Sequence, residues 1–264
     1  MSSAGVQTGK VDIDEGPGMR QCWMGMLFCF GCSLAVTTHA QDLRAPVSIA
    51  AFSAAAPGAP VPQPWQVQTL PGVARENTFA LVSDEGRTVL EVHSESAAST
   101  LAHALAVDPE RFPRLSWRWK VSRAVAGSDF SRKAGDDYAA RVYVLFDYPL
   151  EKLSLGDRIK LALGRTLYGA ELPTAAIAYV WGTAQRAGAS GPNPYTDRVQ
   201  MIVVDSGDGA VGQWREVSRD LAADFRSVFG DEVPRVVGIA LSADTDNTGE
   251  TVTARFGDLR FLSR

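Results

Sequence analysis

The chain has 264 residues, with 26 Lys and Arg against 30 Asp and Glu and a formal net charge of −4. It has no basic run, which argues against nucleic acid as a partner. Its length suffices to bury a substantial core without staples.

Residues 1–18 are polar and acidic, with Asp12, Asp14 and Glu15 close together. Met19-Arg20 follows, then an apolar run from Cys22 to Val36 and the small-residue site Thr38-His39-Ala40. These are the parts of a secretory signal peptide, and the run is short for a membrane span. An acidic stretch before the basic residue is abnormal for such a leader. The expectation is therefore translation from Met19, with 1–18 untranslated or disordered, 19–40 a signal peptide and 41–264 a single domain. An uncleaved amino-terminal anchor is the alternative. All three cysteines, Cys22, Cys29 and Cys32, lie in the leader. Cleavage after Ala40 leaves no disulfide, no thiol nucleophile and no thiolate metal site. Export without disulfides points to a bacterial periplasm or the extracellular space. No later apolar stretch is long enough to span a bilayer.

An apolar run at 47–52 reads as an edge strand, followed by an extended Ala/Pro/Gly-rich connection to Trp65. Residues 78–83 and 88–94 read as a hairpin around Asp84-Glu85-Gly86-Arg87. Residues 97–105 suit a short helix or a strand. The stretch 115–121 alternates cleanly, with Leu115, Trp117, Trp119 and Val121 on one face. After a polar loop comes the strongest strand signal, over 135–147, predicted to pair antiparallel with 115–121. On it Tyr138, Ala140, Val142, Val144 and Phe146 share an apolar face, and Asp137, Ala139, Arg141, Tyr143 and Leu145 share the other. A fourfold Leu/Ile repeat predicts a helix over 153–167. Strands follow at 175–181, 198–205, 236–242 and 251–262, with a flexible exposed loop at 187–195 and a short helix at 221–229 closed by Gly230. The pattern indicates an all-β fold, a jelly-roll-like β-sandwich with one or two short helices.

Asp137, Arg141 and Tyr143 suit a polar ligand site, and they suit a structural ion pair equally. Asp136 and Asp137 are adjacent, face opposite ways on a strand and form no shared-proton dyad. Asp137 and Arg141 lie ~13 Å apart along an extended strand, so Arg141 is expected to meet a carboxylate on a neighbouring strand. Among the aromatics Trp65, Trp117, Trp119, Tyr179, Trp181 and Trp214, the pair Trp117 and Trp119 reads as core. Trp181, with Tyr179, reads as a rim stacking wall for a sugar. The loop Asp244-Thr245-Asp246-Asn247-Thr248-Gly249 has the oxygen density of a calcium loop, but Arg255 stands where an EF-hand needs its bidentate Glu. A plain turn is the other reading. Asp244, Asp246 and Asp258 are the candidate calcium ligands, and no other cofactor is indicated. His93 and His103 belong to no metal-ligand spacing. No nucleophile elbow, phosphate loop or dinucleotide fingerprint occurs.

Leu115-Ser116-Trp117-Arg118-Trp119-Lys120-Val121, Gly135-Asp136-Asp137-Tyr138 with Arg141-Val142-Tyr143, Tyr179-Val180-Trp181, and Asp244-Thr245-Asp246-Asn247-Thr248-Gly249 before Phe256-Gly257-Asp258-Leu259 together carry a resemblance. The pattern, from about Val47 onward, is similar to the secreted bacterial family known as domain of unknown function 3047. The resemblance implies an exported single domain of unsettled activity. The final motif is also distantly similar to the last strand of galactose-binding-type jelly-roll carbohydrate-binding modules. The leading expectation is a non-catalytic module binding a carbohydrate or other envelope polymer through Asp137, Arg141, Tyr143, Tyr179 and Trp181. The alternatives are a polysaccharide hydrolase or lyase using carboxylates such as Asp136 or Asp137, and a structural factor in envelope assembly.

Overall fold

In chain order the strands are β1 (Val47–Ala50), β2 (Gln66–Thr69), β3 (Thr78–Asp84), β4 (Arg87–Glu95), β5 (Ser99–Val107), β6 (Arg114–Val121), β7 (Arg141–Phe146), β8 (Ala175–Gly182), β9 (Ser190–Asn193), β10 (Thr196–Ser206), β11 (Arg215–Asp220), β12 (Val236–Ser242), β13 (Thr251–Phe256) and β14 (Leu259–Leu262). One helix, α1 (Leu221–Phe229), follows β11. This is a computed structural model, and it describes residues 45–69, 72–153, 156, 158 and 174–263.

These strands form two seven-stranded sheets, packed as a β-sandwich. In the first sheet β11 lines one edge of β6 along its whole length. β13 and β14 follow one another along the other edge, pairing with residues 119–121 and 114–116 of β6 respectively. They are two halves of one strand, broken at Gly257-Asp258. Outside them β4 flanks β13, and β1 flanks β14. The second sheet runs β2-β5-β12-β7-β8-β10-β9, antiparallel except where β10 lies parallel to β8.

Alternation decides what lies between the sheets. Leu115, Trp117, Trp119 and Val121 of β6 point inward, against Ile177, Tyr179 and Trp181 of β8. The rings of Trp117 and Tyr179 stand 5.3 Å apart, those of Trp119 and Trp181 6.1 Å, and Trp117 meets Trp119 edge-on at 5.5 Å. Val142, Val144 and Phe146 of β7 continue this layer. The outer face of β8 is covered too: Tyr138 packs there with Ala178, Val180, Met201 and Val203, and Phe130 closes over them. That double cover is why β8 reads as a near-continuous apolar run. α1 begins at Asp220, whose carboxylate accepts from the Ala223 N–H at 2.9 Å, and ends at Gly230 with φ of 72°. Its Phe225 reaches Phe146 at 4.9 Å.

The expected β-sandwich, the 78–94 hairpin and the core position of Trp117 and Trp119 agree with this structure. Three expectations are corrected. The segments around 115–121 and 141–146 do not pair, because β6 and β7 belong to opposite sheets and meet through their side chains. The strand expected from 135 begins only at Arg141. Residues 133–135 form a short 3₁₀ turn instead, ending at Gly135, where a Cβ would sit 2.8 Å from the Asp129 carbonyl. The loop at 187–195 contains a strand, β9, hydrogen-bonded to β10. Residues 99–107 resolve as strand rather than helix. The helix expected over 153–167 falls almost wholly outside the described residues, as does the leader. Among the described residues no helix is long and apolar enough to cross a membrane.

Trp117 is fully buried between Trp119 and Tyr179. Its replacement by Ala is expected to cost about 3–5 kcal/mol, as large-to-small aromatic changes in cores do. Urea unfolding of the variant measures this, and a loss below about 1 kcal/mol would contradict the packing described.

Candidate functional site

Arg141 opens β7, and in register beside it Ser242 closes β12. Asp244 lies two residues beyond, and residues 136–140 lead in from the other side. The Arg141 side chain, 3% exposed, is held in this corner from every direction. Nη1 donates to Asp136 Oδ1 and to the Tyr143 hydroxyl, each at 3.1 Å. Nη2 donates to the Asp136 carbonyl, and Nε faces the Asp244 carboxylate. The guanidinium carbon lies 4.5 Å from the centre of the Tyr138 ring. A buried cation is tolerable only when paired and hydrogen-bonded, and here two carboxylates, a carbonyl, a phenol and an aromatic face supply that.

This arrangement carries excess negative charge, and Asp244 bears the consequence. Burial is the largest cause raising its carboxyl, to about 6, with Asp136 and Asp137 adding to the rise while Arg141 and Ser242 oppose it.

Asp137 is fully buried and serves the following loop. Its Oδ1 accepts from Asn247 N–H and Nδ2 at 3.3 and 3.0 Å, and its Oδ2 accepts from Thr248 N–H and Oγ1, both at 2.7 Å. Thr245, in the same loop, is buried against Ser94 and its neighbour Ala97. The 244–249 loop thus turns N–H donors toward a carboxylate. A calcium loop would turn oxygens toward a cation.

The calcium set is accordingly corrected. Asp244 is engaged by Arg141 and Ser242, Asp246 is exposed, and Asp258 lies on the other sheet. There Asp258 accepts from Ser53 N–H at 3.0 Å and Ser53 Oγ at 2.6 Å, capping the turn after β1. Among the described residues no group of three or more His, Cys, Asp or Glu is placed to hold a metal.

The stacking wall is corrected as well. Tyr179 and Trp181 are both fully buried. The Tyr179 hydroxyl donates to Asp224 at 2.7 Å, and Trp181 Nε1 donates to the Gly207 carbonyl at 3.0 Å. The end of β8 is no rim, because the 125–128 loop lies across it. Thr183 Oγ1 donates to the Val125 carbonyl at 2.6 Å, and Ala184 N–H to that of Ser128 at 3.1 Å. Of the five expected ligand residues, Asp137, Arg141 and Tyr143 are brought together, but as a sealed cluster in which Tyr143 alone is half-exposed. Asp136 is likewise engaged by Arg141 and by Asn193 Nδ2 at 2.9 Å. Neither carboxylate stands free to act as acid or base.

Sequence reasoning missed the rim of this cluster. Tyr195, at the tip of the β9–β10 hairpin, is 58% exposed. Its N–H donates to Asn193 Oδ1 at 3.0 Å, tying the ring to the same Asn193 that grips Asp136. Lys133 Nζ lies 5.0 Å from its ring centre, and its hydroxyl reaches Asn247 Oδ1 at 3.5 Å. The available signal was an aromatic residue in the Pro192-Asn193-Pro194-Tyr195 turn, a place where apolar bulk has no packing purpose.

Two outcomes test the cluster. Asp244 has a folded pKa above its unfolded value, so its contribution to stability is complete below about 4 and is lost as pH rises through about 6. The melting temperature of the wild type relative to Asp244→Asn is expected to fall from about pH 4 and to level off once the pH has passed about 6. A pH-independent difference would contradict the assignment. Asp137→Ala strands four donors and is expected to destabilise by about 2–4 kcal/mol, with faster amide exchange at 245–249. Unchanged exchange there would show that the carboxylate does not hold the loop.

No curated protein matches the sequence. The structure is similar to that of an exo-β-agarase, at 13% identity and a TM-score of 0.34, over 83% of this chain and 25% of that one. It is also similar to the cellulose-induced protein Cip1, at 12% identity and a TM-score of 0.28, over 74% of this chain and 89% of that one. The chain thus spans a quarter of the agarase's length. The model of one family, described as protein of unknown function (DUF3047), matches residues 63–260, which takes in β2 to β13 and the whole Arg141 cluster, and the chain belongs to that family.

Proposed function

We propose that the protein is an exported, non-catalytic module that binds a carbohydrate or other envelope polymer, and that contact is made at the Tyr195 edge, above the Arg141 cluster. The observation that carries this reading is Tyr195 itself. It is a large aromatic ring left 58% exposed, yet fixed by Asn193, Lys133 and Asn247. An aromatic face offers a flat apolar surface to the C–H face of a sugar ring, while amide and carboxylate groups beside it meet the hydroxyls. Asn247 and Asp246 stand there, exposed, on the loop that Asp137 holds. In this reading the buried ion cluster binds nothing itself and fixes the geometry of the rim.

Affinity electrophoresis through gels containing a panel of plant, algal and bacterial polysaccharides tests this. Wild-type protein is expected to be retarded by at least one polymer. Tyr195→Ala, whose side chain carries no core packing, is expected to weaken that retardation roughly tenfold, within the range of a hot-spot aromatic. Free migration of the wild type in every gel, or equal retardation of the variant, would overturn the proposal.

A further inference from the structure

The break between β13 and β14 leaves a second feature, on the outer face of the first sheet. Here the flank of the long strand passes from β4 to β1, and a cleft of about 170 Å³ opens between their ends. It is smaller than the ~300 Å³ at which pockets begin to take drug-sized ligands, so it has room for a group of a few heavy atoms. Arg87, Arg118 and Arg260 line it, with Ser53 and Ser116 between them.

The charges do not cancel. Two carboxylates also line the cleft, Asp258 and Glu216. Asp258 is taken by Ser53 and lies 3.5 Å from Arg260. Glu216 stands opposite Arg118 in the β6–β11 register, yet forms no ion pair with it among the described residues. Arg87 and Arg118 have no carboxylate partner among those residues.

Arg118 is nonetheless held in place. Its side chain crosses the backbone at Gly257, where a Cβ would come within 2.5 Å of its Cγ and Nε. Its guanidinium carbon stacks 4.3 Å from the centre of the Trp214 ring. Its carbonyl accepts from the Gly257 N–H at 2.9 Å. A guanidinium fixed by stacking and left without an anion keeps its planar donor fork available to a carboxylate or sulfate.

We propose that this cleft receives one oxyanion, a carboxylate or sulfate carried by a small sugar acid or by a unit of an acidic polysaccharide. Arg118 supplies the oriented fork, Arg87 the second cation, and Ser53 and Ser116 the neutral donors. The site lies apart from Tyr195 and does not depend on sugar stacking there.

Isothermal titration of the full chain with sodium galacturonate, with polygalacturonate and with neutral galactose tests this. One or both acids are expected to bind, with affinity falling as salt is raised, and galactose is not. Arg87→Ala and Arg118→Gln are each expected to weaken binding roughly tenfold, as loss of a charged hydrogen-bond donor does. Gly257→Ala, which displaces Arg118 without changing the charge, is expected to weaken it similarly. Tyr195→Ala is expected to leave galacturonate binding unchanged, so failure of the stacking edge and failure of this cleft read differently. Binding of the monomer identifies a free sugar acid as sufficient, and binding of the polymer alone identifies a polysaccharide; either upholds the site. Absence of binding by both acids, equal binding of galactose, or unchanged affinity in Arg87→Ala and Arg118→Gln overturns it. Should Arg118→Gln or Gly257→Ala melt well below the wild type, the exposed Arg87 decides the matter alone.

Discussion

A single buried cation governs how one end of this sandwich is built. The Arg141 guanidinium joins two stretches far apart in sequence: β7 with its approach, through Tyr143 and Asp136, and the exit of β12, through Asp244. Taking such a charge out of water costs several kcal/mol unless its partners are fully in place. The corner therefore has one satisfactory arrangement, and its neighbours inherit that precision. Asp137 follows Asp136 directly, and its fully used carboxylate sets the path of the 244–249 loop. Asn193 also grips Asp136, which fixes the β9–β10 hairpin and with it Tyr195.

The aromatic layer between the sheets obeys the same constraint. Large rings supply buried area, but four of them carry polar groups, and of these the Trp117 Nε1 is buried without a hydrogen-bond partner. The other three are answered at the margin of the layer: Trp119 by Asp205, Trp181 by the Gly207 carbonyl, Tyr179 by Asp224. Asp205 and Asp224 are in turn held by Arg215 and Arg219 of β11. The polar rim of β11 and α1 thus completes the core rather than decorating it. These aromatic residues, which from composition alone suit sugar stacking, are consumed by packing.

The architecture was legible because alternation is a local signal. The faces of 115–121, 78–94 and 251–262 follow from period two, whatever they pack against. Sheet membership was not legible. Nothing in Leu115 to Val121 or in Val142 to Phe146 says whether they bond to one another or face one another, since both arrangements present the same apolar face. The candidate site was half legible. Arg141 was expected to meet a carboxylate across the sheet, and Asp244 is that carboxylate. Yet the same Asp244 and its loop read as oxygen ligands, because side-chain type cannot reveal that backbone N–H groups turn inward to Asp137. Trp181 was misplaced for a similar reason, since the loop that covers the end of β8 comes from more than fifty residues earlier in the chain.

The interrupted strand formed by β13 and β14 has one more implication, for the order in which the molecule assembles. It occupies the interior of its sheet, bonded to β6 on one side and to β4 and β1 on the other, although it follows all three of them in the chain. The sheet therefore stays unfinished until residues 251–262 have emerged, and β1 is without its strand partner β14 until then. A nascent chain of this design is kept open, and threadable, until that broken strand has been made.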